Sequence, residues 1–187
     1  MDFRLRTLDL LDGNAREALD GYRRAREIGA DQALVETGYA FALHVSGAPI
    51  GDCIAAYRTA IAVSPKNGAL RLNLAQLMFV EGDDAEANRL LRDAARLGLD
   101  DSAQLEAQFY FLSHTASDPA VILQKTKLLL AVGARLRWNV RPNIESVRQR
   151  NPQKAVLLEL VSQVMTGDRD QALLDQVIER WPLNAAR

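Results

Sequence analysis

The stretch GDDAEANRLLRDAARLGLDD, residues 82–101, has the same pattern as GNAREALDGYRRAREIGADQ, residues 13–32. The two stretches align without a gap, glycine on glycine, at a spacing of 69 residues. Half of this spacing places a third copy midway, where GDCIAAYRTAIAVSPKN, residues 51–67, keeps the same internal order. Self-similarity at a fixed period of about 34 residues indicates a repeat protein in which each copy is one structural unit.

Each copy contains a small residue, a large residue four positions later and a small residue three positions after that. Such positions lie on one face of an α-helix. The small side chains let a neighbouring helix approach closely, and the large one fills the space between the helices. The three sets are Ala18, Tyr22 and Ala25; Cys53, Tyr57 and Ala60; and Ala87, Leu91 and Ala94.

A second amphipathic segment precedes this helix in two of the copies. It reads DQALVETGYAFALHVSG at residues 31–47 and GALRLNLAQLMFVEG at residues 68–82. Each unit is therefore predicted to be a helical hairpin. Aromatic residues make up only 6% of the 187 residues, while helix formers such as alanine, leucine and arginine are abundant. We expect an all-α chain that forms one domain.

The hairpins resemble the tetratricopeptide repeat, a 34-residue helix-turn-helix unit. The residues that carry the resemblance are Gly38, Phe41, Cys53, Tyr57, Ala60 and Pro65 in one copy, and Leu74, Ala75, Met78, Ala87, Leu91 and Ala94 in the next. The resemblance implies a right-handed superhelix of α-α hairpins. It divides the chain into repeats at about 1–30, 31–66 and 67–100, a degenerate hairpin at 101–133, a basic connector at 134–152, and an atypical C-terminal helical hairpin at 153–187 that caps the array.

The fourth hairpin departs from the pattern. The next small position in phase falls on Val121, and its follower four residues later is Lys125, which does not suit a buried position. In the preceding segment, Phe109, Tyr110 and Phe111 are consecutive, so they cannot share one helical face. We expect two of these three aromatic side chains in the core and one at the surface.

Family resemblance also implies a binding groove on the first helix of each hairpin. The groove is expected to bind an extended peptide or a helix of another protein. Val35 and Leu72 occupy positions where chaperone-binding members carry lysine, so no clamp for a terminal carboxylate is predicted. An apolar groove with a few polar groups suits an amphipathic helix or an apolar peptide. The predicted lining residues are Val35, Tyr39, Ala42, Leu72, Gln76 and Phe79.

A basic segment offers a second candidate site. Between residues 135 and 154, six basic residues face a single acidic one, Glu145, in a chain whose net charge is -1. Such a segment binds phosphate, nucleic acid or an acidic peptide, or it is simply a solvated connector over a buried tryptophan. The residues of this possible patch are Arg135, Arg137, Trp138, Arg141, Arg148 and Arg150.

Residues that could carry catalysis are few. Cys53 occupies a small packing position, and His114 falls near a predicted helix end without a serine or carboxylate at a telling spacing. We therefore expect no catalytic residues, no cofactor and no metal site. The single cysteine and the charged N-terminal residues favour a cytoplasmic protein without a signal peptide or membrane span.

Three functions follow from these observations. The first is a non-enzymatic adaptor that binds a peptide or helix of another protein in its groove. The second is an accessory N-terminal domain of a larger enzyme such as a transferase. The third is binding of phosphate or nucleic acid by the basic segment, although the balanced total charge makes nucleic acid a less favoured partner. Self-association through the groove or an uncapped end is compatible with all three.

Overall fold

A computed structural model describes residues 14–115, 118–131, 133, 140–167, 172, 173, 175 and 176. All regular structure within these residues is α-helical, which confirms the predicted all-α class. None of the helices in this part of the chain combines the length and apolar character that crossing a bilayer requires. The helices are α1 (Ala15–Glu27), α2 (Gln32–Val45), α3 (Ile50–Val63), α4 (Gly68–Glu81), α5 (Asp84–Arg96), α6 (Asp101–Thr115), α7 (Pro119–Ala131), α8 (Arg141–Arg150) and α9 (Pro152–Thr166).

Short polar residues and glycines set the helix ends. At the start of α2, the side chain of Asp31 accepts a hydrogen bond from the backbone N–H of Leu34, and Asp83 does the same for Glu86 in α5. These bonds satisfy backbone donors that have no partner within the helix. Gly82 ends α4 in the left-handed conformation, with φ of 87°, a geometry that glycine adopts without steric cost.

The first five helices are packed in chain order. Each helix from α1 to α5 lies against the next one along the chain, with the closest packing between α2 and α3 and between α4 and α5. The small and large positions of the second and third copies are all buried, and those of the first copy, at the edge of the described array, are half-buried. The buried positions are Cys53, Tyr57, Ala60, Ala87, Leu91 and Ala94.

Close approach between α1 and α2 depends on one glycine. The ring of Tyr22 in α1 lies directly over Gly38 of α2, and a Cβ atom at Gly38 would sit 2.2 Å from Tyr22 Cζ. A real Cβ cannot occupy that position unless the ring moves. The glycine in the repeat pattern is therefore required by contact with the preceding helix.

The later helices pack differently from the predicted fourth hairpin. Helix α7 lies mainly against α9 and only lightly against α6. Val121, predicted as a small packing position, is 40% exposed, and Lys125, four residues later, is also exposed. The helix is turned so that other residues face the core. Those buried residues are Ile122, Leu123, Thr126 and Leu130.

The predicted basic connector also contains a packed element. Its described part, residues 140–151, is largely helix α8, which starts with Pro142 in its first turn and is joined to α9 through Asn151. Helix α8 contacts α4, α6 and α9. The side chains of Asn143, Ile144 and Val147 are buried, so this part of the segment belongs to the core and is not a solvated linker.

Candidate functional site: the face of α4 that holds α8

The six residues predicted to line a groove are mostly covered in this structure. Tyr39 is half-buried and the other five are buried. Their role in binding a partner stays a prediction, but the groove they were expected to line is not open. On α4, Gln76 is covered by Asn143 of α8, and Phe79 is covered by the ring of His114 in α6. The five buried residues are Val35, Ala42, Leu72, Gln76 and Phe79.

A reciprocal pair of carboxamides fixes α8 on α4. Gln76 Nε2 donates to Asn143 Oδ1 at 3.0 Å, and Asn143 Nδ2 donates to the backbone oxygen of Gln76 at 3.3 Å. The two side chains are 1% and 0% exposed. A buried polar group without a partner costs about 1–3 kcal/mol. The two hydrogen bonds between Gln76 and Asn143 avoid this cost. They form only when α8 places Asn143 beside Gln76.

Ser146 adds a further contact between α8 and α4. Ser146 Oγ lies 3.4 Å from the backbone oxygen of Phe79 and 3.3 Å from that of Val80. The two carbonyl oxygens share its single O–H donor. Val147 lies four residues after Asn143 and three after Ile144, and residues three and four apart are neighbours on a helix surface. Ile144 and Val147 are both buried among the side chains of the main core.

His114, near the end of α6, closes the other side of this contact. Its ring stacks on Phe79 with the ring centroids 4.4 Å apart and the planes 11° from parallel. Nε2 lies 3.1 Å from Asn143 Nδ2, and Nδ1 lies 3.1 Å from a terminal nitrogen of Arg150. A neutral imidazole has one acceptor nitrogen and one N–H. The amide and the guanidinium therefore compete for a single acceptor.

Protonation of His114 is strongly disfavoured. Burial, followed by the positive charges of Arg150 and Lys154, lowers its pKa from 6.5 to about 3. The ring is thus neutral near pH 7 and serves as a hydrogen-bond acceptor in the packing. We define the α8 seat as the surface formed by Gln76, Phe79 and His114, on which α8 lies.

The described arginines of the predicted basic patch are engaged within the protein. Arg150 contacts Asp84 Oδ2 at 3.2 Å as well as His114. Arg148 forms ion pairs with Glu145 and with Glu159 of α9. Arg141 is exposed at the start of α8. Arg135, Arg137 and Trp138, the other predicted members of the patch, lie outside the described residues.

A second polar contact holds Tyr39 at the boundary of α1 and α2. Arg26 donates to both carboxylate oxygens of Glu36, at 2.9 Å and 2.7 Å, and its guanidinium lies 4.6 Å from the centre of the Tyr39 ring. Glu36 is buried, and the hydrogen bonds to it raise the pKa of Arg26. The face of the Tyr39 ring is therefore in a cation–π contact with Arg26 of the same chain.

Cys53 and His44 do not form a reactive pair. The Cys53 thiol is buried at its packing position, 3.7 Å from the backbone oxygen of Ala48, and burial raises its pKa. His44 Nδ1 lies 3.1 Å from the hydroxyl of Tyr57, and burial lowers the pKa of His44 to about 4. Among the described residues, no three His, Cys, Asp or Glu side chains converge as metal ligands would.

Sequence reasoning missed the residues that hold α8. Asn143, Ser146 and His114 lie 67, 67 and 35 residues from their α4 partners Gln76, Phe79 and Phe79, and no local spacing connects them. The one available signal was an asparagine on the apolar face of a short helix, because a buried amide requires a partner.

Comparisons with protein-family models, with curated proteins and with solved structures give no match for this chain.

Proposed function

We propose that the chain is a non-enzymatic protein-binding module of the tetratricopeptide type, with its hairpins in a right-handed superhelix. The site we propose is the α8 seat, and its ligand is a helix of a partner protein. The observation that carries this proposal is that the seat already accommodates a ten-residue helix, α8, against the first helix of a hairpin. A surface shaped for one amphipathic helix suits another of the same chemistry.

The composition of the seat agrees with this ligand class. Phe79 and the stacked ring of His114 supply apolar surface, while Gln76 supplies a buried donor and a backbone acceptor. Binding sites of this kind combine a mostly apolar lining with a few fixed polar groups that set orientation. Arg148 and Arg150 of the basic segment are paired with carboxylates, so binding of nucleic acid there has weaker support. We place the protein in the cytoplasm, as its single cysteine suggests.

An affinity-capture experiment tests this function. Wild-type protein and Gln76→Leu are immobilised and exposed to lysate of the organism that makes the chain, and retained proteins are identified by mass spectrometry. Gln124→Leu is the matched control, because Gln124 is an exposed glutamine on α7. We expect a partner that wild type and Gln124→Leu retain and Gln76→Leu loses. Equal retention by all three folded proteins would contradict the proposed site.

A further inference from the structure

Helix α4 begins at the dipeptide Asn67–Gly68, and no other asparagine in the sequence precedes a glycine. The backbone nitrogen of a glycine is the least shielded of all residues, because glycine has no Cβ atom. This nitrogen can attack the side-chain amide of the asparagine before it. The dipeptide is therefore the place in the chain where an asparagine loses its amide group most easily.

The fold requires a glycine at position 68. A Cβ atom there would lie 3.0 Å from the backbone oxygen of Ala94, 3.1 Å from Leu99 Cδ2 and 3.3 Å from the backbone oxygen of Gly98. A side chain would fit only if the neighbouring backbone moved, which close packing resists. The approach of α4 to the end of α5 thus depends on the same glycine that makes the dipeptide reactive.

The folded backbone holds the two reacting groups apart. Asn67 is the N-cap of α4, with φ of -84° and ψ of 103°, and its Oδ1 accepts a hydrogen bond of 3.1 Å from the backbone N–H of Ala69. Attack requires the Gly68 nitrogen to lie on the same side of the Asn67 Cα–C bond as the side chain. At this ψ the nitrogen points away from the Asn67 Cβ atom. The N-cap must therefore open before the reaction occurs.

We propose that Asn67 is a site of spontaneous deamidation, and that opening of the first turn of α4 controls its rate. In the open turn the Gly68 nitrogen forms a bond to Asn67 Cγ, the Cγ–Nδ2 bond breaks, and ammonia leaves with the proton of the Gly68 amide. Solvent water then hydrolyses the five-membered succinimide that results. This modification is independent of the proposed binding function, because neither residue belongs to the α8 seat.

Hydrolysis of the succinimide gives two products with different effects on α4. Cleavage of the bond between the Gly68 nitrogen and Asn67 Cγ gives aspartate, which caps a helix as well as asparagine does and places a favourable charge at the helix N-terminus. Cleavage at the main-chain carbonyl carbon gives isoaspartate, whose main chain contains one additional CH₂ group. That extra length displaces Gly68 from its close contact with Ala94. We expect only the isoaspartate form to be less stable than the unmodified protein.

Peptide mapping by mass spectrometry follows the reaction in the full chain during incubation at about pH 8. The reference is a free peptide of residues 64–72, SPKNGALRL, which is too short to hold a stable helix. Asn67 should deamidate at least about tenfold more slowly in the folded protein than in the peptide, and faster than Asn73 and Asn88 of the same protein. Equal rates in peptide and protein, a faster reaction at another asparagine or no product at Asn67 would overturn the proposal.

A matched pair of variants tests the opening step. Leu99→Ala removes the side chain that lies over Gly68, and Leu97→Ala is the control because Leu97, in the same turn, is 39% exposed. Leu99→Ala should speed deamidation at Asn67 by about threefold or more, because it loosens the first turn of α4. Leu97→Ala should leave the rate unchanged. Equal rates in wild type and both folded variants would contradict the control by this turn.

Hydrogen exchange in the wild-type protein keeps the proposal testable if Leu99→Ala does not fold. The N–H of Ala69 donates to Asn67 Oδ1, so its exchange with water reports opening of the same turn. The factor by which folding slows this exchange should equal the factor by which it slows deamidation, within about threefold. If the two factors differ by more than about tenfold, opening of this turn does not control the reaction and the proposal is wrong.

Discussion

Helices α2 to α5 and helices α6 to α9 are held together by different kinds of contact. In the first group, small and large apolar side chains alternate along the helix faces, and Cys53, Tyr57, Ala60, Ala87 and Ala94 are all nearly inaccessible to solvent. In the second group, buried apolar side chains such as Ile144 and Val147 join the same core, and hydrogen bonds are added by Asn143, Ser146, His114 and Arg150. One half of the molecule therefore follows the repeat pattern of the sequence, while the other half combines apolar packing with side-chain hydrogen bonds.

The two groups differ because the repeat pattern of the sequence ends after α5. A regular hairpin buries its apolar face against the next hairpin. Helix α7 does not continue that stacking, and α8 instead covers α4, the first helix of the last regular hairpin. The face of α4 is thus covered by the chain's own helix, through both the Asn143–Gln76 hydrogen bonds and buried apolar side chains of α8.

The largest predicted effect comes from Phe79, which contacts both groups of helices. Phe79→Ala should lower the free energy of unfolding by about 3–5 kcal/mol, because it leaves a cavity in the core and removes the ring on which His114 stacks. Phe111→Ala is the matched control, since Phe111 is 51% exposed, and it should change the free energy by less than about 1 kcal/mol. Urea unfolding measures both values, and equal effects would refute the assignment of Phe79 to the central contact.

The carboxamide pair provides the next effect. Asn143→Leu should cost about 1–3 kcal/mol because Gln76 Nε2 then loses its buried partner. In the double variant Gln76→Leu/Asn143→Leu, both members of the hydrogen-bonded pair are removed. Its loss of unfolding free energy should therefore be smaller than the sum of the losses in the two single variants. A double-mutant cycle in urea measures the coupling. Strict additivity would mean that α8 is not held by this pair.

Acid should destabilise the protein through its two half-buried histidines, His44 and His114. The pKa of His44 is lowered to about 4, so the unfolded chain binds a proton at a higher pH than the folded chain does. The free energy of unfolding then falls as pH drops below 6.5, by on the order of 2 kcal/mol at pH 5 for His44. His114, with its pKa lowered to about 3, acts in the same direction.

The pH dependence can be assigned with one variant. In His44→Gln, the slope of unfolding free energy between pH 7 and pH 5 should be clearly smaller than in wild type, whatever the variant's stability at pH 7. Urea titrations at three pH values in this range give the slope. An unchanged slope would mean that His44 is not buried as a neutral ring beside Tyr57.

The smallest predicted effect concerns the regular repeats. Gly38→Ala should cost roughly 1 kcal/mol because the new Cβ displaces the Tyr22 ring. Gly21→Ala, on the helix that carries Tyr22, has no neighbour within 4 Å and should stabilise the protein by about 1 kcal/mol. Thermal unfolding distinguishes the opposite signs. If Tyr22→Ala does not relieve the cost at Gly38, the close approach of α1 and α2 is not as described.

The sequence predicted the elements whose packing is local. The helix faces of α3 and α5 follow from the spacing of small and large residues, and the exposure of Phe111 beside buried Phe109 and Tyr110 agrees with the limit on consecutive residues. Those contacts join neighbouring helices, so the period of the sequence contains them.

The sequence did not predict the contact that defines the candidate site. The residues of the α8 seat and of α8 are far apart in the chain, and their hydrogen bonds have no period. The prediction that Val121 is a buried packing position was wrong for a related reason. Helix α7 packs mainly on α9 and does not continue the stacking of the earlier hairpins. Contacts between residues far apart in the chain depend on the tertiary packing of the whole molecule. Spacing patterns within one segment do not contain this information.

Nuclear Overhauser effects between the side-chain amides of Gln76 and Asn143 test the central claim most directly. The protein has a mass of 20.7 kDa, which allows the two NH₂ groups to be assigned in a ¹⁵N-labelled sample. With α8 on its seat at pH 7, we predict cross-peaks between these groups and slow exchange of the Asn143 amide with water. Cross-peaks that are absent in an otherwise folded spectrum, with Asn143 exchanging as in an unfolded peptide, would contradict the account.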